Sequence, residues 1–282
     1  MPEPARPSQQ EYWNSKVGEE WASHADRMDR MLQPMTAPTF ELLALQPGES
    51  VLDIGCGAGA TSLAAARQVG PGGRVVGVDL SRQLLARARE RAEASAANVE
   101  FLEAEVGLTP IAGAPFDGAF SRFGVMFFNE PAAAFAQIRE AMAPDGRLVF
   151  ICWRSFEENV WSHAPLTALT PLLKTPVSPP DPDAPGPFAF ADNSRVNRIL
   201  GAAGWRDIAI APWNGDVLVG GGGDAHEAAE FLLRIGPCAR AIADQKLDVP
   251  AARRTLAEFL AERQLPDGVA LPAACWIVSA RA

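Results

Sequence analysis

Apolar positions along the chain follow two rhythms. Between Glu11 and Leu45, the residues Tyr12, Trp13, Val17, Trp21, Met28, Met31, Leu32, Phe40 and Leu43 recur near helical spacing. This predicts an N-terminal helical segment, interrupted at Pro34 and Pro38. The first ten residues are polar and proline-bearing and are expected to be loose. From Ser50 onward, short unbroken apolar runs alternate with amphipathic stretches. The pattern predicts strands at 50–54, 74–79, 99–104, 116–121, 147–153, 206–219 and 273–280, and helices at 60–69, 83–94, 131–142, 192–203, 225–233 and 250–262. Pro47-Gly48, Pro71-Gly72-Gly73 and Pro144-Asp145-Gly146 punctuate the series as turns, and Pro131 opens a helix where its missing N–H costs nothing.

Strands that are apolar throughout and separated by helices imply a parallel sheet covered on both faces, an α/β doubly wound, Rossmann-like fold. Residues 1–45 then form a helical lid, 46–153 a cofactor-binding core, 154–190 a cap insertion, and 191–282 the rest of the core, with a helical insertion near 224–264. The stretch 154–187 carries Pro165, Pro171, Pro176, Pro179, Pro180, Pro182, Pro185 and Pro187 and is not expected to form one regular element.

Composition narrows the picture. With 282 residues, 48% of them hydrophobic, the chain can bury one substantial core and a smaller cap. A net charge of -9 repels a phosphate backbone, so nucleic acid is not an expected partner. Arg82, Arg87, Arg89 and Arg91 read as a solvated helix face. Cys56, Cys152, Cys238 and Cys275 lack CxxC spacing and read as reduced thiols, Cys56 as packing rather than a nucleophile, and no cluster demands a metal. The N-terminus lacks a signal-peptide stretch, and no run approaches the roughly 20 apolar residues of a spanning helix. A cytoplasmic protein without membrane contact is expected; monomer and homodimer both stay open.

The chemistry concentrates in Val51-Leu52-Asp53-Ile54-Gly55-Cys56-Gly57-Ala58-Gly59, a strand entering a glycine-rich turn that opens a helix. Glycines there allow the backbone to approach a ligand closely. The next strand ends in Asp79, suited to accept hydrogen bonds from both hydroxyls of a ribose. The pair implies a nucleoside-containing cofactor. Gly55, Gly57 and Ala60 also satisfy dinucleotide spacing, so charge must discriminate. A carboxylate at Asp53 opposes a pyrophosphate at the helix N-terminus and suits a cofactor bearing an ammonium and a sulfonium.

The motifs VLDIGCGAG, GVDLS and FDGAFSRFGVMFF, and the turn before RLVFICW, resemble the ordered series of class I S-adenosylmethionine-dependent methyltransferases over residues 46–153. The resemblance implies a seven-stranded sheet with its last strand antiparallel, and the cofactor across the carboxyl ends of the first strands. It implies that Gly55, Gly57 and Gly59 line the methionine portion, with Asp53 engaging its amino group directly or through water. Asp79 would hold the ribose and Leu80 flank the adenine. Glu105, where aspartate is usual, would reach the adenine amino group with Val106 beside it. Ser121, through its backbone, and Arg122 would floor the transferable methyl.

The implied activity is methyl transfer to an O, N or C atom of a small-molecule acceptor, quinone-like or a secondary metabolite, by in-line displacement that leaves S-adenosylhomocysteine. The connections after the fifth and sixth strands emerge over the site and are the longest in the chain, so they and the N-terminal helices are expected to cap it. Tyr12, Trp21, Phe123, Trp153 and Trp161 are candidate acceptor-binding residues, with Trp13, Phe127 and Phe188. Alignment and exclusion of water can supply much of the acceleration. If a proton must leave the acceptor, His163 and then His24 are the candidate bases. Two alternatives remain: a non-catalytic methyltransferase-like protein that binds cofactor or a partner, and a nicotinamide-dependent oxidoreductase.

Overall fold

A computed structural model describes residues 7–178 and 181–282. Strands β1 (Ser50–Ile54), β2 (Arg74–Asp79), β3 (Val99–Glu103), β4 (Phe116–Arg122) and β5 (Met142–Trp153) run parallel in the order β3-β2-β1-β4-β5. The sheet continues through β6 (Arg206–Leu218) and β8 (Gly268–Arg281), with β8 antiparallel between β5 and β6. A two-residue strand, β7 (Gln264–Leu265), folds back on the start of β8. The expected seven-stranded Rossmann-like sheet is therefore present, its antiparallel member the last in the chain. Its central strands are largely apolar because both faces are covered: Val51, Leu52, Val75, Val76 and Leu148 are fully buried. Edge strand β6 is largely exposed.

Helices α4 (Ala60–Val69) and α5 (Arg82–Ser95) pack on the β1 to β3 half of the sheet, while α6 (Pro131–Glu140) packs against α8 (Asn193–Ala202). Local signals set their ends. Pro131 stands in the first turn of α6, the Ser81 hydroxyl caps α5 by accepting from the Leu84 N–H, and the Asp192 carboxylate caps α8.

The N-terminal segment corrects one expectation. After α1 (Gln9–Trp13) and α2 (Lys16–Ser23), helix α3 (Ala25–Leu43) runs unbroken through Pro34 and Pro38. The two prolines lie four residues apart on the side away from the core, Pro34 exposed and Pro38 half-buried. The carbonyls of Arg30 and Pro34, which lose their helical partners, therefore sit on the outer side of the helix. Met28, Met31, Leu32, Met35, Phe40 and Leu43 are buried on the opposite side, and that packing outweighs the lost hydrogen bonds. The loose N-terminus expected for residues 1–10 lies, for 1–6, outside the described residues; α1 begins at Gln9.

Within the proline-rich insertion, Val160–Ala168 forms α7 before the chain turns irregular; Pro179 and Pro180 lie outside the described residues. Between β6 and β8 stand α9 (Ala225–Leu232), α10 (Pro237–Gln245) and α11 (Val249–Ala261). The sequence pattern missed α10, whose start is marked by Gly236 and Pro237. Among the described residues no helix is long and apolar enough to cross a membrane, and no group of acidic, histidine and cysteine side chains could hold a metal ion.

Candidate active site

The carboxyl ends of β1, β2 and β4 open into a cleft enclosing about 1650 Å³ of empty space, part of it open solvent. The turn after β1 forms one wall. Its backbone is held by the N–H groups of Gly55 and Cys56, which donate to the Val78 carbonyl at 2.8 and 3.0 Å. Gly57 has a φ of +53° and nothing within 4 Å of where a Cβ would stand, so this wall is bare backbone. Gly59, at φ +80°, does not line the cleft: a Cβ there would meet Ala88 and Phe101 at 2.9 Å. It lets α4 pack against α5 and β3, and its expected role as cofactor lining is not what the geometry assigns it.

Asp53 lies behind this turn rather than on its surface, only 1% exposed. Its Oδ2 accepts from the hydroxyls of Thr61 (2.7 Å) and Ser62 (2.6 Å), while Oδ1 is buried with no partner. Burial pushes this carboxyl above the usual aspartate range, against the Ser62 and Thr61 hydrogen bonds and the charge of Arg122. Thr61 does line the cleft.

Asp79 lines the cleft at the end of β2. Its Oδ2 accepts from the Gly57 N–H and its Oδ1 from the Ser81 N–H, both at 2.8 Å. A carboxylate offers about four acceptor sites, so Asp79 retains acceptor capacity beyond its backbone donors. Desolvation raises its pKa in spite of these backbone donors. Leu80, Glu105 and Val106 follow along the same wall, and Glu105 Oε1 accepts from Asn129 Nδ2 at 3.2 Å. Cys56 also lines the cleft, but burial and the charges of Asp79 and Asp53 push its thiol well above the ordinary value, which keeps it neutral.

Ser121 is buried outside the cleft. Its hydroxyl donates to the Ile54 carbonyl at 2.7 Å and accepts from the Gly124 N–H at 3.2 Å, clamping the end of β4 to the end of β1. Arg122 lines the cleft and bonds Asp29 at 2.6 Å and Thr36 at 3.2 Å. Asp29 also accepts from Arg91 at 2.9 Å, and Arg91 pairs with Asp26 and reaches the Ala58 carbonyl. Arg91 is thus not part of a solvated face: with Asp29 and Arg122 it ties α3 to the glycine turn and to β4.

The N-terminal helices are fastened by Asn14, whose Nδ2 donates to the Leu80 carbonyl at 2.8 Å and whose Oδ1 accepts from the Arg82 N–H at 3.0 Å. This brings Trp13 and Trp21 into the cleft wall, with Trp13 edge-on to both Trp21 and Phe127. Tyr12 turns outward, 38% exposed, and does not line the cleft. Deeper in, Phe123 stacks on Trp153 at 4.1 Å, and Trp161 packs on Trp153 at 5.1 Å. Phe123 holds a φ of +65°, an unusual conformation for an aromatic residue and one found where a site over-determines its backbone.

All three segments expected to cap the site contribute lining residues: Met28 and Met31 from α3, Trp161 and Phe188 from the insertion after β5, Phe231 and Ile235 from that after β6. Neither candidate base does. His24 Nδ1 engages the Glu20 carbonyl and the Ser23 hydroxyl, while the His163 ring sits edge-on to Phe156. Successive residues on a helix point about 100° apart, so α7 cannot present Trp161, Ser162 and His163 to one cleft. The expectation of a histidine base at either position is set aside. The pattern also missed Asp29, Thr61 and Ser162; Ala25, Met28, Asp29 and Leu32 share a helical stripe that marks the inner face of α3.

Residues 51–146, which supply the glycine turn and the β2 side of this cleft, match the family model described as a methyltransferase domain. Over those residues the chain is similar to a methyltransferase domain. The chain is 38% identical over 128 residues to an arsenite methyltransferase of Halobacterium salinarum, an alignment covering 45% of this chain and 32% of that protein. It is 36% identical over 110 residues to a demethylmenaquinone methyltransferase of Thermus thermophilus, covering 39% and 50%. The match thus spans half or less of these relatives' length. Among solved structures, phosphoethanolamine N-methyltransferase 2 of Haemonchus contortus in complex with S-adenosyl-L-methionine superposes with a TM-score of 0.58 at 16% identity, covering 100% of this chain and 61% of that one. At that identity the likeness speaks for the fold alone.

Proposed function

We propose that this chain binds S-adenosylmethionine along the β1 and β2 wall and transfers its methyl group to a small, largely apolar acceptor under the cap. The observation that carries this reading is Asp53: a buried carboxylate with one oxygen satisfied by two hydroxyls and the other without a partner, behind a bare glycine turn. Such an anion repels a diphosphate and favours an ammonium group, which supports the sulfonium cofactor over a dinucleotide. The remaining acceptor capacity of Asp79 suits a ribose hydroxyl, and Glu105, in part committed to Asn129, retains acceptor capacity for an exocyclic amine. When bound, the cofactor supplies a methyl group made electrophilic by its sulfonium.

The chain's own contribution is positioning and dryness. Trp13, Trp21, Phe123, Trp153, Trp161 and Phe188 wall the space in which an acceptor would be held, exclude water from it and limit its orientations. With the histidines elsewhere, the reading favours an acceptor atom that needs no histidine base, either ionised before binding or a neutral amine. The arsenite and quinone chemistry named for the relatives, and the net charge of -9, support a small molecule over nucleic acid.

Isothermal titration calorimetry of the purified chain with S-adenosylmethionine, S-adenosylhomocysteine and NAD tests the proposal. Binding of the first two and indifference to NAD is expected. Tight NAD uptake without uptake of either nucleoside thioether would overturn it.

A further inference from the structure

Among the described lining residues contributed after β5 and β6, the cap is apolar except at one position. Trp161, Pro187, Phe188, Phe231 and Ile235 line the space, and Ser162 is the one residue among these lining segments with a side-chain hydroxyl. Ser162 is 2% exposed, and its Oγ is buried with no hydrogen-bond partner. A helical serine or threonine ordinarily discharges its hydroxyl on the carbonyl four residues back, as Thr167 does onto His163 in the same helix at 2.9 Å. Ser162 sits in the first turn of α7 and makes no such bond. A buried hydroxyl left unpaired opposes folding unless something that binds there completes it.

The hydroxyl is also held at a defined place. Asn159, fully buried, accepts from Trp161 Nε1 at 3.2 Å and from the Ala274 N–H at 3.0 Å, and donates to the Ala274 carbonyl at 3.0 Å. This pins the start of α7 to β8. Trp161 in turn packs on the stacked Trp153 and Phe123 pair. The result is one hydrogen-bonding group beside a rigid aromatic wall, a combination that suits a flat ring system with a single polar substituent.

We propose that Ser162 is the acceptor-recognition residue, its hydroxyl hydrogen-bonding an oxygen substituent on a planar, otherwise apolar ring. This rests on the reading that the capped end of the cleft receives the methyl acceptor. It separates the accepted class from unsubstituted hydrocarbons, which leave the hydroxyl unpaired, and from strongly charged molecules, which the aromatic walls desolvate without compensation.

The test uses the full chain saturated with S-adenosylhomocysteine and two probes, 1-naphthol and naphthalene, whose affinities are read by equilibrium dialysis. The wild type is expected to bind 1-naphthol about 10-fold more tightly, the worth of one hydrogen bond. Ser162→Ala should bring the preference below about two-fold, through weaker naphthol binding with naphthalene unchanged, and Ser162→Cys, of similar volume and a weaker donor, should fall between. The melting temperature of Ser162→Ala should equal or exceed that of the wild type, since no intramolecular bond is lost; a marked fall would assign the hydroxyl a structural role instead. Equal affinity of the wild type for both probes, binding of neither, or a preference that survives in Ser162→Ala overturns the assignment. Calorimetry with S-adenosylhomocysteine on the same samples keeps the two readings apart. A chain that binds it yet shows no naphthol preference defeats the role of Ser162 alone, whereas a chain that does not bind it takes down the methyltransferase reading and this inference together.

Discussion

Replacing Asp53 with Asn neutralises a buried carboxyl that has one oxygen without a partner. The amide keeps one oxygen for the Thr61 and Ser62 hydroxyls, and it puts an NH2 donor at the buried position where Oδ1 now has no partner. If that oxygen receives the cofactor's ammonium, the substitution removes a charge-assisted hydrogen bond worth about 1.5–3 kcal/mol, a roughly 10- to 150-fold loss of affinity. S-adenosylmethionine and S-adenosylhomocysteine should lose equally, because both carry the amino group. Stability should move the other way. Burial raises the Asp53 pKa in the folded chain, so its contribution to stability is greatest in acid and is lost as pH rises through that raised value. At neutral pH, above the ordinary aspartate range, that linkage opposes folding, and ligand-free Asp53→Asn should melt at or above the wild-type temperature. Asp53→Ala is the contrast, since it strands two buried hydroxyls and should melt lower. Calorimetry and differential scanning fluorimetry at neutral pH read both quantities. Wild-type affinity of Asp53→Asn for both nucleosides would refute the reasoning.

Acid should weaken cofactor binding at a higher pH than an ordinary aspartate would dictate, because protonation of Asp79 or Asp53, both raised by burial, removes an acceptor; S-adenosylhomocysteine affinity measured from neutral pH downward checks this. The two glycines should separate. Gly57→Ala, strained by its positive φ and projecting a methyl into the cleft, should cost binding chiefly, whereas Gly59→Ala, colliding with Ala88 and Phe101, should cost about 1–3 kcal/mol of stability in denaturant titrations. A His24→Ala, His163→Ala double variant should keep the wild-type pH dependence of turnover once an acceptor is in hand; loss of a limb of the profile would return a histidine to the mechanism.

Much of the cleft wall formed by β1, its glycine turn and β2 was legible because its signals are local. The bounds of β1 and α4 were predicted residue for residue, since an unbroken apolar run, a glycine turn and an Ala-rich helix follow one another without interruption. Asp53 and Asp79 stood out as charges at the ends of apolar strands. Gly59 was misread because a ligand-lining glycine and a packing glycine look alike in sequence; only the position of Ala88 and Phe101 tells them apart. Arg91 looked solvated for a similar reason. Its partners Asp26 and Asp29 lie on another helix more than sixty residues away.

Periodicity and turn chemistry were enough to specify the α/β alternation, the glycine turn and the acidic residues around it, because those features depend on backbone preferences and neighbours a few residues apart. The continuity of α3 through two prolines, the exclusion of both histidines from the cleft, and the presence of Asp29 and Ser162 in it came from elsewhere. They depend on which face each helix turns toward a sheet assembled from distant strands, and the burial that settles that choice exists only once the whole core has closed.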